Sequence, residues 1–305
     1  MINYAIQRLI LAFFVAVAVS IIAFALLRLS GDLAMVLAGD GATDEEVRQM
    51  AERHGLDRPF VVQYFDWLIR MLQGDLGTSL FTHRPTMEMI LEAVPVTAKI
   101  AFLSLGAALA FAIPLGVIAA AYPNTWIDRA VLALAVAGKA MPTFWMALVL
   151  MYWLGVQLRW LPISGSATWQ HLVMPVIVLG TSVMPQLMRL TRSGMLDTLE
   201  SDFIRMAWAK GLPAHVVFFK HALRNAILPV VAMSAISLGF LLGGAVIVEA
   251  IFSINGIGLL AYRSILRIDF PVVQAILFFL SFVYIFLTLI ADLINAWLDP
   301  RIKVK

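Results

Sequence analysis

The chain has 305 residues, of which 62% are hydrophobic and only 13% are charged. Soluble domains carry about 25% charged residues, so this composition excludes an ordinary soluble protein. The net charge of +3 gives no sign of a nucleic-acid partner, and the absence of cysteine leaves the redox compartment undecided.

The charged residues are distributed so unevenly that six long stretches of the chain contain none of them. These stretches are residues 9–27, 100–121, 140–158, 172–188, 225–248 and 270–291. Roughly 20 residues of helix cross the ~30 Å hydrocarbon layer of a bilayer. In lipid, an isolated segment satisfies its own backbone only as a helix. The sequence therefore predicts an all-α polytopic membrane protein with six transmembrane helices.

The first stretch lies within residues 1–29, which we interpret as an N-terminal tail and a first transmembrane helix. Arg8 followed by an apolar run is also typical of a secretory signal. This run is longer than a usual signal core, however, and Arg28 closes it without a small-x-small cleavage pattern. We therefore predict that the helix is not cleaved.

Residues 30–97, called the long segment below, are predicted to form helices outside the spans. Thr43 and Glu46 have the spacing of a capping box, and Gly55 is placed to end the helix that follows. Pro59 opens a second helix, whose apolar face consists of Phe60, Tyr64, Trp67, Leu68 and Met71. Three interpretations stay open: helices lying on the bilayer surface, a cap that meets a soluble partner, or a packed cap on the bundle.

Lys139 is the most unusual charged residue of the predicted spans, because we place it about ten residues into the third span, three residues before Pro142. A charge in mid-bilayer costs about 2.5–3.5 kcal/mol on insertion scales, so such residues are functional candidates. Lys139 either faces a translocation path, where it would favour acidic substrate groups, or snorkels to the membrane surface.

A polar island, Asp202–Pro229, follows the fourth stretch. It predicts a short surface helix, a stop in the left-handed conformation at Gly211, a second basic helix from Pro213, and a fifth span that begins at Leu228 and Pro229. We expect Ala207 on the outer face of the first helix, where a small residue allows the helix to enter a groove on a partner. The alternative is an ordinary loop with snorkelling basic side chains.

The fifth stretch carries Gly239, Gly243 and Gly244 and ends near Glu249. Small residues allow helices to approach closely in lipid, so the glycines predict a packing face that lines a central path. Glu249 is a candidate for an external gate. The alternatives are that it caps the loop 255–258 or pairs with an arginine of that region, Arg263 or Arg267.

Lysines and arginines are concentrated on one side of the predicted spans, which the positive-inside rule assigns to the cytoplasm. That side holds Arg8, the basic residues of the island and the tail 301–305, whereas the long segment carries more acidic than basic side chains. Both termini and the island are therefore predicted to be cytoplasmic. Asp292, near the same surface, is expected to pair with a cytoplasmic arginine.

Several short motifs occur in order along almost the whole chain. They read GDLGTS at 74–79, PTFW at 142–145, WLP at 160–162, LTRSGML at 190–196, GGAVIVE at 243–249, NGIG at 255–258, DFPVVQ at 269–274 and LDPR at 298–301. With the island, this series resembles the dipeptide/oligopeptide/nickel permease family of ATP-binding-cassette importers.

The resemblance implies the type I (MetI-like) importer permease fold, with a five-helix core at 98–300 and a cytoplasmic coupling loop at 192–228. The implied partners are a homologous second permease, two ATPase subunits and an extracytoplasmic substrate-binding protein. The implied location is the lipid bilayer of the bacterial inner membrane. This chain would bind no cofactor and catalyse nothing, since ATP and Mg belong to the ATPase subunits. The implied cargo is a dipeptide or oligopeptide, with nickel or another small solute as the alternative.

The resemblance also assigns roles to particular residues. Contact with the ATPase is implied for Arg205, Met206, Ala207, Lys210, Gly211, Leu228 and Pro229. The path or gate would involve Lys139, Gly239, Gly243, Gly244 and Glu249. The usual importer loop reads Glu-Ala-Ala, then three further residues, then a glycine, whereas this chain has Arg205, Met206 and Ala207 at the first three positions and keeps only the second alanine and Gly211. The glutamate contact of that loop therefore does not transfer to this chain.

The sequence does not indicate nucleotide binding, metal binding, catalysis or secondary transport. There is no phosphate-binding Gly-x-x-x-x-Gly-Lys-Ser/Thr loop, and the dinucleotide-like run from Gly256 to Ala261 lies in an external loop without a strand–helix unit. The histidines show no metal-ligand spacing and no nucleophile–base pair. A self-contained secondary transporter would show matching halves and paired intramembrane charges, which this chain lacks.

Overall fold

The computed structural model describes residues 2–29, 33–39 and 41–298, and the side chains of these except 2–5, 26–29, 244 and 294–298. The α-helices within these ranges are α1 (Ile2–Leu29), α2 (Leu33–Ala38), α3 (Asp44–His54), α4 (Phe60–Leu72), α5 (Thr86–Ala121), α6 (Trp126–Ala140), α7 (Thr143–Leu150), α8 (Trp169–Leu199), α9 (Asp202–Ala209), α10 (Leu223–Ala226), α11 (Leu228–Ile251), α12 (Ile257–Leu266) and α13 (Phe270–Leu298). Two π-helical segments, Met151–Gln157 and Val216–Ala222, continue α7 and precede α10. No strand forms in the described ranges, where the β-type pairing is an isolated bridge between Thr78 and Pro85.

Four helices are long and apolar enough to cross a membrane on their own: α1 through Ile6–Ala25, α5, α8 and α13. Two further candidates are bent pairs: α6 with α7 at 96°, and residues 216–226 with α11 at 55°. Counting each bent pair as one span gives the six that the sequence predicts.

The third span differs from the prediction in where it begins. The uncharged stretch 140–158 contains only α7 and its π-helical continuation, whereas α6 ends at Ala140. Pro142 is the N-cap of α7, and proline disfavours helical backbone in the residue before it. Because Asp128, Arg129 and Lys139 interrupt α6, a search for uncharged stretches misses this helix.

The two ends of the bundle can be told apart by what lies there. The long segment leads into the start of α5, and Asp269, just before α13, accepts a hydrogen bond from Ser79 at 2.6 Å. At the other end, Val117 and Ala120 of α5 pack against the island. Arg8 of α1 pairs with Asp292 of α13 at 3.2 Å, which confirms the predicted ion pair. Since α13 runs from the long-segment end to the island end, that ion pair lies at the island end.

The long segment folds as the sequence predicts in its first helix. Thr43 and Glu46 form the capping box of α3, and Gly55 ends that helix at φ +65°. The backbone amide and the hydroxyl of Thr43 both donate to the Glu46 carboxylate, which holds the pKa of Glu46 below its ordinary value.

The helix α4 packs its aromatic side onto the first span. The rings of Phe24 and Phe60 lie 5.2 Å apart, and the hydroxyls of Ser20 and Tyr64 are hydrogen-bonded at 2.7 Å. Trp67 reaches further, to Phe278 of α13, at 6.1 Å between rings. The long segment is therefore attached to the side of the bundle through α4.

The centre of the bundle is the packing of α5 against α8. At their closest crossing, a Cβ added to Gly116 would lie 2.7 Å from the Cβ of Thr191 and 2.8 Å from the carbonyl oxygen of Met188. In lipid, helices associate largely through such close contacts between small residues. Gly116 is thus required for these two helices to touch.

Replacing Gly116 with valine is expected to lower the free energy of unfolding by about 1–3 kcal/mol, the usual cost of overpacking. The measurement is the thermal midpoint of the detergent-purified protein. Gly106→Val is the matched control, because Gly106 is on the same helix and a Cβ there meets nothing within 4 Å. Equal midpoints for the two variants would contradict the tight crossing.

Candidate functional site

The island helix α9 is fixed to the bundle by one face. Ile204 and Ala207 are buried, at 0% and 6% exposure, and they pack with Val117, Ala120 and Met195. The prediction that Ala207 lies on the outer face is therefore wrong. Ile204 and Ala207 are three residues apart and share one side of the helix, so burying the large isoleucine turns the small alanine inward as well.

The opposite side of α9 is open. Met206 is 58% exposed and Phe203 is 45% exposed, and Arg205 and Lys210 are exposed beside them. We call these four residues the docking face. Large apolar groups next to cations at a surface are typical of a binding site for another protein.

The chain that follows α9 has the predicted order: a helix stop, a second island helix and the start of the fifth span. Gly211 has φ +72°, the left-handed conformation that ends the helix. The second island helix contains the π-helical segment Val216–Ala222, a form rare in proteins and common at functional sites. Leu228 begins α11 with Pro229 in its first turn, as the sequence predicts.

The second island helix rests directly on α8. A Cβ on Gly194 would lie 2.7 Å from the carbonyl oxygen of Ala226, so the two backbones are in contact. Packed elements this close move together. The end of the second island helix is therefore packed on α8 immediately before α11 begins.

A buried ion pair that the sequence does not predict joins α6 to α8. Nε and a terminal nitrogen of Arg192 donate to the two carboxylate oxygens of Asp128 at 2.6 and 2.7 Å. Asp128 also accepts from the backbone amide of Asn124 at 2.9 Å. The Asp128 side chain is only 3% exposed, so this two-point contact positions the start of α6 beside the island end of α8.

Removing the charge of Asp128 is expected to be strongly destabilising. Asp128→Asn leaves the Arg192 guanidinium without its carboxylate, and breaking a buried pair costs about 3 kcal/mol, the low end of the usual range because Arg192 is 22% exposed. The thermal midpoint measures this loss. Asp202→Asn is the control, since Asp202 is 95% exposed in its pair with Arg205 and such pairs contribute little. A drop as large for Asp202→Asn would contradict the argument.

Glu249 lies at the centre of a fully buried hydrogen-bond network. The Thr97 hydroxyl donates to its carboxylate at 2.7 Å, and the amide of Leu259 donates at 3.1 Å. Thr97 in turn accepts from the amide of Ile257 at 2.8 Å. These amides belong to the first turn of α12, whose N-cap Gly256 has no side chain to satisfy them. Glu249 thus caps the loop 255–258, one of the predicted alternatives.

The path residues are not brought together in one place. Gly239 is buried and packs within the chain, since a Cβ there would lie 2.9 Å from the Tyr284 ring of α13. Gly243 is exposed and meets nothing within 4 Å, and the surroundings of Gly244 lie outside what the structure describes. The predicted common packing face is therefore observed only for Gly239.

Lys139 lies at the break between α6 and α7, and its side chain is exposed. Its amine is 3.5 Å from the carbonyl oxygen of Ser182. Ser182 is near the middle of α8, about 20 Å from its first residue and about 26 Å from its last at 1.5 Å per residue. Whether Lys139 faces a path or snorkels to the membrane surface stays a prediction.

Two of the sequence motifs meet at the long-segment end. Asp269 accepts from the Ser79 hydroxyl and from the Leu80 amide, at 2.6 and 3.1 Å, so the motif GDLGTS is tied to DFPVVQ. Within residues 2–29, 33–39 and 41–298, no three His, Asp or Glu side chains cluster as metal ligands would.

Comparison with known proteins gives the family. Residues 112–304 match the family described as binding-protein-dependent transport system inner membrane component, and residues 1–101 match its N-terminal part. The chain belongs to this family. It is an ABC transporter permease and a multi-pass protein of the bacterial inner membrane, as the sequence predicts.

Relatives of the permease match it over their whole length. It is 37% identical over 306 residues to the glutathione transport system permease protein GsiC of Salmonella choleraesuis and 35% identical to that of Escherichia coli K12, with 100% of both chains covered. The solved MetNI methionine ABC transporter, in an inward-facing conformation, aligns with a TM-score of 0.60 at 19% identity, over 70% of this chain and 97% of that one. An amino acid ABC transporter aligns with a TM-score of 0.51 at 13% identity, over 70% and 94%. The fold is therefore the predicted MetI-like one.

Proposed function

We propose that the permease is one membrane subunit of an ATP-driven importer of small anionic peptides of the glutathione kind. The observation that carries this proposal is full-length similarity to permeases of glutathione transport. In the proposed complex a homologous permease lies beside it, and two ATPase subunits with ATP and Mg lie on the cytoplasmic side, one of them on the docking face. A substrate-binding protein approaches the long-segment end from outside.

The docking face supports the mechanical part of the proposal. Met206 and Phe203 offer an ATPase an apolar contact, while Ile204 and Ala207 hold the same helix on α5 and α8. A ligand shifts a conformational equilibrium only by binding one state better than another. ATP-driven closure of the ATPases would favour one position of α9, and the packing of Ile204 and Ala207 on α5 and α8 would transmit it to the spans.

Lys139 supports the anionic character of the cargo. An exposed ammonium at mid-depth of the bundle would be costly against lipid, so its surroundings are best explained as a water-filled path. There it would attract a substrate with excess carboxylate charge, as glutathione has. Lys139 is then a specificity residue rather than a membrane-surface anchor.

Lys139→Met is expected to lower uptake of glutathione by about tenfold relative to a neutral dipeptide, since losing an attraction worth roughly 1.4 kcal/mol changes the ratio by that factor. Competitive uptake into proteoliposomes measures the ratio. Lys139→Arg keeps the charge and is the matched control. An unchanged ratio in Lys139→Met would contradict the assignment.

The function itself is tested by reconstitution of the permease with its partner permease, ATPases and binding protein. Glutathione, a neutral dipeptide and a nickel chelate are offered separately, with and without ATP. Accumulation of glutathione only with ATP supports the proposal. Uptake of nickel alone, or ATP-independent accumulation by the permease by itself, would overturn it.

A further inference from the structure

The long-segment helix α4 has an apolar flank whose large side chains stay mostly exposed in the described chain. Its inner face, Tyr64 and Met71, is buried at 8% exposure. The neighbouring flank, about a quarter turn away, stays open although every side chain in it is large and apolar; it consists of Val61 at 61%, Phe65 at 53%, Ile69 at 53% and Leu72 at 75% exposure.

The other flank of α4 is polar and borders a cationic cleft. Gln63, Asp66 and Arg70 lie on that flank, where the end of α3 comes close. The cleft has a volume of about 380 Å³. Four basic side chains and one carboxylate line it, together with Ile69 of the apolar flank: Arg53, His54, Arg58, Arg70 and Asp66. Arg58 pairs with Asp66 at 3.2 Å, so the excess positive charge comes from Arg53 and Arg70.

The position of α4 relative to the ends of α1 and α13 indicates what the apolar flank faces. Phe24, which contacts Phe60 and Tyr64, belongs to the membrane-crossing part of α1, about 8 Å before the end of that helix. Phe278, which contacts Trp67, lies about 12 Å inside α13. The helix α4 therefore crosses the spans below their ends, at the depth of the outermost hydrocarbon and headgroups.

We propose that α4 is embedded in the membrane interface, with its apolar flank in the acyl chains and an anionic phospholipid headgroup in the arginine cleft. A helix with large apolar residues on one side and polar residues, among them Arg70, on the other is the kind that lies in this layer. The cleft has an excess of positive charge that matches a phosphate, and arginine binds phosphate oxygens in pairs. A soluble binding protein would have to enter the lipid layer to reach Phe65.

The position of the flank can be measured by spin labelling, because the permease has no cysteine of its own. Nitroxides on Phe65→Cys and Leu72→Cys, in the complete transporter in liposomes, are expected to collide more with oxygen than with a water-soluble nickel chelate. Gln73→Cys, exposed on the polar side, is the matched control and should show the reverse. Labels at Phe65 and Leu72 that reach neither reagent would show a protein partner on the flank, and a preference for the chelate would show water; either result overturns the proposal.

The cleft is tested with phosphatidylglycerol added to the purified complex in neutral detergent, with bound lipid counted by native mass spectrometry. Arg53→Gln and Arg70→Gln are each expected to weaken binding about fivefold, the usual effect of one arginine at an anionic surface. Arg48→Gln is the control, because Arg48 lies on α3 outside the cleft and pairs with Glu52 at 3.2 Å. Unchanged binding in the first two variants, or an equal loss in the control, would overturn the headgroup assignment.

Discussion

Met206→Glu is expected to abolish ATP-driven uptake while the permease stays folded in the membrane. Met206 is 58% exposed at the centre of the docking face. If an ATPase groove covers it, the new carboxylate loses its water without gaining a partner, which costs several kcal/mol. Even 3 kcal/mol weakens binding more than a hundredfold. Co-purification of the ATPase and substrate-stimulated ATP hydrolysis measure the loss.

Met206→Leu is the matched control for this experiment, because it keeps the size and the apolar character of the side chain. We expect it to retain the ATPase and to transport normally. Since Met206 points away from the bundle, neither change should alter the thermal midpoint of the permease. A Met206→Glu protein that still binds the ATPase at wild-type strength would show that α9 does not form the contact.

Glu249→Leu is expected to have the largest effect on stability. It leaves the amide of Leu259 and the hydroxyl of Thr97 buried without an acceptor. Each such orphaned group costs about 1–3 kcal/mol, so the free energy of unfolding should fall by about 3 kcal/mol or more. The thermal midpoint and the yield of folded, detergent-extracted protein measure the change.

Gly256→Val probes the same network from the other side, since a Cβ there would overlap the oxygens of both Glu249 and Thr97. It should destabilise the permease about as much as Glu249→Leu. Gly243→Ala is the control for stability, because its Cβ meets nothing within 4 Å. If both network variants unfold at the control's temperature, the carboxylate does not hold α12 in place.

The parts of the fold that follow from local composition could be predicted from the sequence. Spans appear as uncharged stretches, and the capping box at Thr43, the stop at Gly211 and the start of α11 at Leu228 each depend on a few neighbouring residues. The orientation of α9 could not be predicted in this way. Which of Ala207 and Met206 faces inward depends on α5 and α8, which the local sequence does not contain.

The two buried polar contacts were beyond prediction for a related reason. Asp128 and Arg192 are 64 residues apart, and Thr97 and Glu249 are 152 residues apart. A single sequence does not indicate which residues so far apart along the chain come into contact. Glu249 could be identified as unusual because it ends an apolar run, whereas Thr97 is a small polar residue of a kind that apolar helices often contain. The helix α6 was missed because its charged residues hide it from a search for uncharged stretches, although Pro142 does mark the break that follows it.

The π-helical segment Val216–Ala222 lies in the second island helix, between the stop at Gly211 and the start of α11 at Leu228. Its wider turn accommodates one residue more than an α-helix of the same length would. Because the extra residue is held within one wider turn, deleting a single residue there would restore ordinary α-helical winding and leave the turns on either side close to their present orientation. The docking face would keep its direction as well, since the buried Ile204 and Ala207 hold α9 on the bundle.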